Sequence, residues 1–412
     1  MLFSDTLLDA VTSVSQCTDF AVNGIKNICN RFGPRPCGED SEKSAQEEML
    51  KELEAFSDEV RRETFKVNPG AFMSFVPLAG TCLFGASALN TFASKKNTKA
   101  ALGSVALMGG ALAGIAGEFL LYKKMLDRFF KEKESGNVIA VRKATGETKK
   151  RIIISGHTDS APEWTYTYKL GSHGVIMVVG YAITGLLYTA ATTGVILSNK
   201  NPSLAKKMVS GQSLFYPAYS ALYKFTNSKR YVDGANDDLT GCYVASAVMK
   251  YLSDNNISFE NTEVIAMLAG GEECGLRGSK AFFEAHPEYK DDGVDTVFIS
   301  IDTVRDEDYM MIYEKDMTGM VKNDKRVCDL LKRAGERQGK DIPVGAIPLG
   351  STDAAAASQA GIAAASIVAM DPAPAQYYHT RLDTADILVP ECIEKMLMIT
   401  LDAIFDFDEN GI

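Results

Sequence analysis

Charge is missing from long parts of this chain. No charged side chain stands between Lys66 and Lys95, between Lys99 and Glu118, or between Lys169 and Lys200. The first two gaps predict an apolar helical hairpin over 70–122, with two arms of about 20 residues joined by the polar "SKKNTK" (94–99). The third contains "GVIMVVGYAITGLLYTAATTGVILS" (174–198), long enough to cross a bilayer. Residues 203–226 are less apolar and read as an amphipathic return.

Elsewhere the pattern alternates more quickly. The first sixty residues predict two helices around the breakers Gly33, Pro34, Pro36 and Gly38, with Ser41 as N-cap of the second. A strand is expected at 61–67. "NVIAVRKATGETKKRIIISGHTDS" predicts a β-hairpin turning at Thr145-Gly146-Glu147, its second arm ending at His157. From Asp233 onward, helices are expected at 239–253, 276–285, 323–338 and 390–406. Strands are expected at 262–269, 294–301, 309–313 and 362–368. This alternation gives an α/β class: a mixed, mainly parallel central sheet flanked by helices, with two apolar helical insertions. The domain expectation is one catalytic domain from 1–69, 123–169 and 227–412, interrupted by inserts at 70–122 and 170–226.

Composition narrows the function. Hydrophobic residues make up 46% of 412, enough for a large core, and the formal net charge of −10 argues against nucleic acid as a partner. Eight cysteines without a Cys-x-x-Cys predict reduced thiols and a cytoplasmic setting. "MLFSDTLLDA" has no basic segment before an apolar run, so no signal peptide is expected.

Candidate chemistry collects where the expected strands end, the usual place for function in an open α/β sheet. "RIIISGHTDS" ends in His157 and Asp159, "VIAMLAGGEE" in Glu272 and Glu273, and "DTVFISIDTV" in Asp302. "YVDGANDDLTG" offers Asp233, Asp237 and Asp238 just before a helix, and "QYYHTRLDT" offers His379 and Asp383. Neutral imidazole and carboxylate oxygen suit zinc, with cobalt or manganese as substitutes. Two divalent ions about 3.5–4 Å apart need a carboxylate between them and another, unligated, to take a proton from water. The adjacent glutamates can divide those tasks: one ligates while its neighbour faces the water. Each feature alone also has a plain reading: a structural histidine, a solvated helix start, a turn cap.

Taken in order, these motifs resemble peptidase family M28, the co-catalytic zinc aminopeptidases. The likeness rests on His157-Thr-Asp159, Gly234-Ala-Asn-Asp237-Asp238, Gly271-Glu272-Glu273, Ile301-Asp302, and His379 with Asp383. "GPRPCG" and "GSTDAAAASQAGIAAASI" extend it. Spacings of 35 and 30 residues separate Asp237, Glu272 and Asp302, and about 290 of 412 residues are covered. The resemblance implies a zinc-aminopeptidase, phosphorylase/hydrolase-like fold and two zinc ions. His157 and Asp302 would hold one ion, Glu273 and His379 the other, with Asp237 bridging. Glu272 would be the general base and Asp159 would orient His157. Tyr378, beside Tyr377, matches a tyrosine that steadies the oxyanion in some members. The implied substrate is a peptide with a free N-terminus. The chain departs from the family in its apolar insert at 70–122 and in the 80 residues between His157 and Asp237.

Two rival functions fit parts of the pattern. One is a single-zinc glutaminyl cyclase or carboxypeptidase-like enzyme on the same scaffold. The other is a non-catalytic, membrane-bound binding module. The apolar inserts can span a membrane, form a lid, or make a dimer interface; the oligomeric state is open. If they span, the crossings are even in number. Basic flanks (Arg61, Arg62, Lys66, Lys123, Lys124, Arg128, Lys149, Lys150, Arg151, Lys229, Arg230) then put the catalytic part in the cytoplasm. Otherwise the protein is expected to be soluble and cytoplasmic.

Overall fold

The computed structural model describes residues 3–93, 97–171, 173–373 and 375–412. The chain divides into two compact units, one of Met1–Pro69, Glu132–Pro162 and Tyr231–Ile412, the other of Gly70–Lys131 and Glu163–Arg230. Among the described residues the strands are β1 (Glu59–Val67), β2 (Lys133–Arg142), β3 (Lys150–His157), β4 (Pro162–Trp164), β5 (Thr226–Tyr231), β6 (Thr262–Ala269), β7 (Asp295–Val304), β8 (Met310–Asp316), β9 (Val321–Lys322), β10 (Val344–Ala346) and β11 (Ala363–Ala369).

The first unit holds the expected mixed sheet, in the order β1-β2-β6-β3-β7-β11-β8-β10, with β9 beside β8. Its centre, β6, β3, β7 and β11, is parallel, while β1, β2 and β8 run antiparallel to their neighbours in that centre or to each other. The expected hairpin between residues 137 and 157 is not formed. β6 lies between its two arms, antiparallel to β2 and parallel to β3. Ile152, Ile153 and Ile154 are all 0% exposed, and Val264–Ala269 are buried throughout. Strands apolar on both faces need neighbours on both edges and helices above and below. A hairpin would have satisfied one edge of β3 and left β6 without that setting.

Helix boundaries follow local chemistry. Val14–Phe32 starts on a capping box, with Ser13 and Gln16 exchanging backbone hydrogen bonds. The next helix, Asp40–Glu54, has Glu39 at its N-cap, so Ser41 lies inside the first turn rather than capping it. Phe3–Asp9 adds a short helix that the pattern did not suggest.

One helix positions the candidate chemistry. Leu239–Asp254 is buried almost throughout and packs directly over β3 and β7. It approaches that closely because two glycines remove side chains from the contact. A Cβ on Gly156 would lie 2.4 Å from the backbone of Gly241 and Cys242, and one on Gly241 would lie 2.3 Å from the Ile301 carbonyl. The helix start is thereby pressed against the strand ends that carry His157 and Asp302.

The second unit is helical: Phe75–Phe92, Thr98–Gly114 continuing into the π-helical Ile115–Leu120, His173–Ser198, and a return in short pieces, Pro202–Gly211 and Tyr216–Leu222. Three segments, Phe72–Phe92, Thr98–Leu120 and His173–Ser198, are long and apolar enough to cross a membrane. Of the polar link expected at 94–99, residues 94–96 lie outside the described residues. The bundle buries an apolar cluster that includes Val76, Leu83, Phe215 and Leu222, and beside it a network of polar side chains. Asn90 Nδ2 donates to Thr193 Oγ1 (3.0 Å) and Gln212 Oε1 (2.8 Å). Ser104 meets Thr193 at 3.1 Å, and Thr189 meets the Tyr219 hydroxyl at 3.1 Å. Large apolar side chains point outward instead, including Met177 (66% exposed), Leu187 (65%) and Leu102 (59%).

Gly156→Ala tests the close approach. Backbone on both sides leaves the new methyl no flexible neighbour to displace, so the variant should lose about 1–3 kcal/mol of stability in denaturant unfolding.

Candidate metal centre

Four parts of the first unit bring their polar residues to one place. β3 ends on His157, β7 carries Asp302, the loop before Leu239–Asp254 carries Asp237 and Asp238, and the turn after β6 carries Glu272 and Glu273. A late loop adds Tyr378, His379 and Asp383. His157 Nε2 lies 3.1 Å from Asp237 Oδ1 and 3.9 Å from Glu272 Oε2. His379 Nε2 lies 3.0 Å from Asp237 Oδ2 and 3.1 Å from Glu273 Oε1. Asp237 thus stands between the two imidazoles with one oxygen toward each. Ligand atoms of His157, Asp237 and Glu273 lie within 4.8 Å of one another, as do those of His157, Asp238 and Asp302.

Other carboxylates fix this arrangement through the backbone. Asp159 accepts the amides of both glutamates, Glu272 N at 3.0 Å and Glu273 N at 3.2 Å. Its main-chain carbonyl, not its carboxylate, makes the closer contact to His157 Nδ1, 3.1 Å against 3.6 Å. Asp383 accepts Asn236 N (2.8 Å), Asn236 Nδ2 (2.8 Å) and Asp237 N (3.1 Å). Asp238 accepts the amides of His157 (3.0 Å), Gly241 (3.0 Å) and Thr303 (3.1 Å), joining three of the four parts. The glutamate pair does not start a helix: Gly271, at φ +64°, turns the chain, and the helix Arg277–Ala285 begins later. A Cβ on Gly270 would lie 2.4 Å from the Gly136 carbonyl, so β6 reaches the turn hard against β2.

"GPRPCG" acts through Arg35, which is 0% exposed. Its guanidinium donates to the carbonyls of Thr158 (2.8 Å), Gly33 (2.9 Å), Asp233 (2.7 Å) and Gly234 (3.1 Å). One side chain therefore ties the segment after His157 to the segment before Asp237. Sequence reasoning gave Arg35 no role, because nothing local shows that three distant carbonyls need one planar donor.

Burial and crowding set the protonation. Burial opposes charge on His379, but Glu273 and Asp237 outweigh it and hold the imidazole up at about 10. His157 is likewise raised well above its ordinary value, against burial, chiefly by Asp159 and Asp237. Asp237 is held below the usual carboxylate range despite burial, because both imidazoles face it. Burial pushes Glu272 well above the ordinary value, with Glu273, Asp353 and Asp302 adding to the rise against the pull of His157. Burial and Asp237 push Asp302 up to about 7.

These donors fit a divalent metal. Asp237 Oδ2 and Glu273 Oε1 are buried and both face His379 Nε2, which carries at most one proton and cannot satisfy the two together. Buried carboxylates outnumber the available cationic side chains, so their charge must be relieved either by protonation or by a cation. Oxygen and imidazole nitrogen are the ligands zinc prefers in such sites.

The neighbouring tyrosines separate cleanly. Tyr377 donates to Asp306 Oδ2 at 2.9 Å, and Arg305 lies over its ring. Tyr378 stacks on His379, with ring centres 4.0 Å apart, and its phenol is raised by burial and by Asp237, Glu273 and Asp302. Asp353, which the sequence reading did not single out, begins the helix Asp353–Ala360 and is 2% exposed. Burial pushes it up to about 6, and its charge acts on Glu272. A Gly-Ser-Thr-Asp turn just before a helix was its only local signal. Asp233 contributes its carbonyl to Arg35, and His286 pairs with Glu63 at 2.9 Å. In the second unit Trp164 packs against Phe225, with ring centres 5.4 Å apart.

The class follows from comparison with known proteins. The sequence model of peptidase family M28 matches residues 221–404. That span includes Asp237, Glu272, Glu273, Asp302 and His379, and begins after His157. An aminopeptidase from Aneurinibacillus sp. strain AM-1 superposes with a TM-score of 0.57 at 17% identity, covering 97% of this chain and 95% of that one. The zinc aminopeptidase BSAP from Bacillus subtilis gives 0.55 at 14% identity, covering 94% and 95%. A glutaminyl cyclase from Bacteroides thetaiotaomicron gives 0.55 at 14%, covering 94% and 97%. No curated protein matches the chain. At these identities the structures establish a shared fold. The family model agrees over residues 221–404 with the resemblance to family M28 read from the motifs, and together with the shared fold it supports a peptidase-type enzyme.

Glu42 provides a test of the crowding. It is 1% exposed, accepts Gly38 N (2.7 Å) and Ser135 Oγ (2.8 Å), and is pushed up to about 8 by burial and by Asp159. A carboxyl raised on folding contributes stability at low pH that is lost as pH rises through its folded value. The melting temperature of chelator-treated protein should therefore fall between pH 4.5 and about 8, and fall less in Glu42→Gln.

Proposed function

We propose that this chain is an aminopeptidase with two zinc ions, held by His157 and Asp302 on one side, Glu273 and His379 on the other, and Asp237 between. The observation that carries the reading is Asp237, whose two oxygens face two different imidazoles at 3.1 and 3.0 Å. Cobalt or manganese would substitute. Bound there, the ions would supply Lewis acidity and an activated water. Glu272 would take the proton of that water on its carboxylate and return it to the leaving amine. Its place beside the His157–Asp237 pair, with Oε2 3.9 Å from His157 Nε2, supports this role. Asp159 would hold the glutamate turn in register, and Tyr378 would donate to the developing oxyanion.

A glutaminyl cyclase is the second reading, since that activity occurs on the same fold. The presence of His157 and Asp302 beside the Glu273–His379 group supports two ions over one. Purified protein should bind two equivalents of zinc and release the first residue from aminoacyl-anilides and peptides with free N-termini. One equivalent together with cyclisation of N-terminal glutamine would establish the cyclase instead. Glu272→Gln should keep its zinc and lose about 10²–10⁴ in kcat. Near wild-type turnover would remove Glu272 as the base.

We further propose that the second unit lies in a membrane, with the catalytic unit in the cytoplasm. Three helices long and apolar enough to cross, large apolar side chains exposed on the outside and polar side chains hydrogen-bonded to one another within the bundle suit a lipid surround. The basic flanks support the orientation. Expressed protein should sediment with membranes and be released by detergent but not by high salt. Recovery in the soluble fraction would point to the lid or dimer-interface reading.

A further inference from the structure

Cys37 and Cys274 lie outside the proposed reaction but next to its machinery. Cys37 belongs to the loop before Asp40–Glu54, and Cys274 directly follows Glu273. Their sulfurs and an Asp159 carboxylate oxygen lie within 4.8 Å of one another, and the two thiols are within hydrogen-bonding reach. The pair is packed with Val67 and Phe65 and is 3% and 7% exposed. Cys274 Sγ also faces the Pro69 carbonyl at 3.7 Å.

We propose that Cys37 and Cys274 are a redox modification site, a reversible disulfide formed by peroxide that weakens metal binding. The chemistry closes without a further reactant. One thiol sulfur attacks an oxygen of hydrogen peroxide. An S–O bond forms, the O–O bond breaks, and water leaves after proton transfer. The second thiol attacks that sulfur, an S–S bond forms, the S–O bond breaks, and a second water leaves. Two thiols lose two electrons and the peroxide gains them.

The consequence follows from position. A disulfide needs its sulfurs about 2.05 Å apart, so the pair must close up. Asp159 lies against both sulfurs and holds the amides of Glu272 and Glu273. Drawing Cys274 toward Cys37 shifts the turn that carries both glutamates against its anchor. Disturbing a group that orients metal ligands typically costs about 10–100-fold in metal affinity, the loss expected here. This second part rests on the proposed zinc site; the cross-link does not.

The experiment uses full-length, zinc-loaded protein treated with hydrogen peroxide, alkylated, digested without reductant and analysed by mass spectrometry. The expected product is a Cys37–Cys274 linked peptide, with zinc affinity reduced about 10–100-fold and restored by a dithiol. Cys37→Ala should form no such link and keep its zinc under peroxide. Cys37→Ser serves equally if the alanine variant does not accumulate. Both cysteines remaining alkylated, oxidised singly, or linked elsewhere would overturn the disulfide. A link with unchanged zinc affinity, or equal zinc loss in the Cys37 variant, would overturn the coupling. Failure of the untreated protein to bind zinc would instead overturn the metal-site reading, and the peptide map would still decide the disulfide.

Discussion

The first unit is organised around the mutual repulsion of carboxylates that its own fold brings together. Asp237, Asp238, Asp302, Glu272, Glu273 and Asp353 converge with only two imidazoles among them, at positions from which water is largely excluded. Burial raises the proton affinity of most of these acids, and the acids raise that of the two histidines. Such a cluster is tolerable when cations sit within it. Its imidazole and carboxylate groups are spaced as a divalent ion would need them.

Holding those groups in place falls to hydrogen bonds with the backbone. Asp159, Asp238 and Asp383 each bind two or three main-chain amides, and Arg35 binds four carbonyls. These contacts join segments far apart in sequence and fix the main chain rather than the ligand side chains. The glycines at 156 and 241 act at the same level, by letting a helix start meet two strand ends without intervening side chains. The geometry of the site is thus a property of the backbone, with the ligands as its termini.

The second unit follows a different rule. Several hydrogen-bonding side chains turn inward and satisfy one another beside a small apolar core, while many large apolar side chains, Ile176, Met177, Ile183 and Leu187 among them, face outward. In water that arrangement would expose a large apolar surface. In lipid it would hide the polar groups and cost nothing at the rim.

The sequence by itself determined the element types and the chemistry of the candidate ligands. From Asp233 onward the expected strands and helices match those of the structure within a few residues, because alternating buried elements leave a strong periodic signal. The charge-free stretches also marked the long apolar helices. Strand neighbours were not legible: adjacency of β2 and β3 in the chain suggested a hairpin, and only the burial of β6 on both faces placed it between them. Ser41 looked like a cap, yet Glu39 took the position when the Gly38 loop set the helix start. Arg35, Asp353 and the Cys37–Cys274 pair were equally hidden, since each acts on partners distant in sequence. Local sequence carries propensity and ligand chemistry; which groups meet is decided by how the backbone closes on itself.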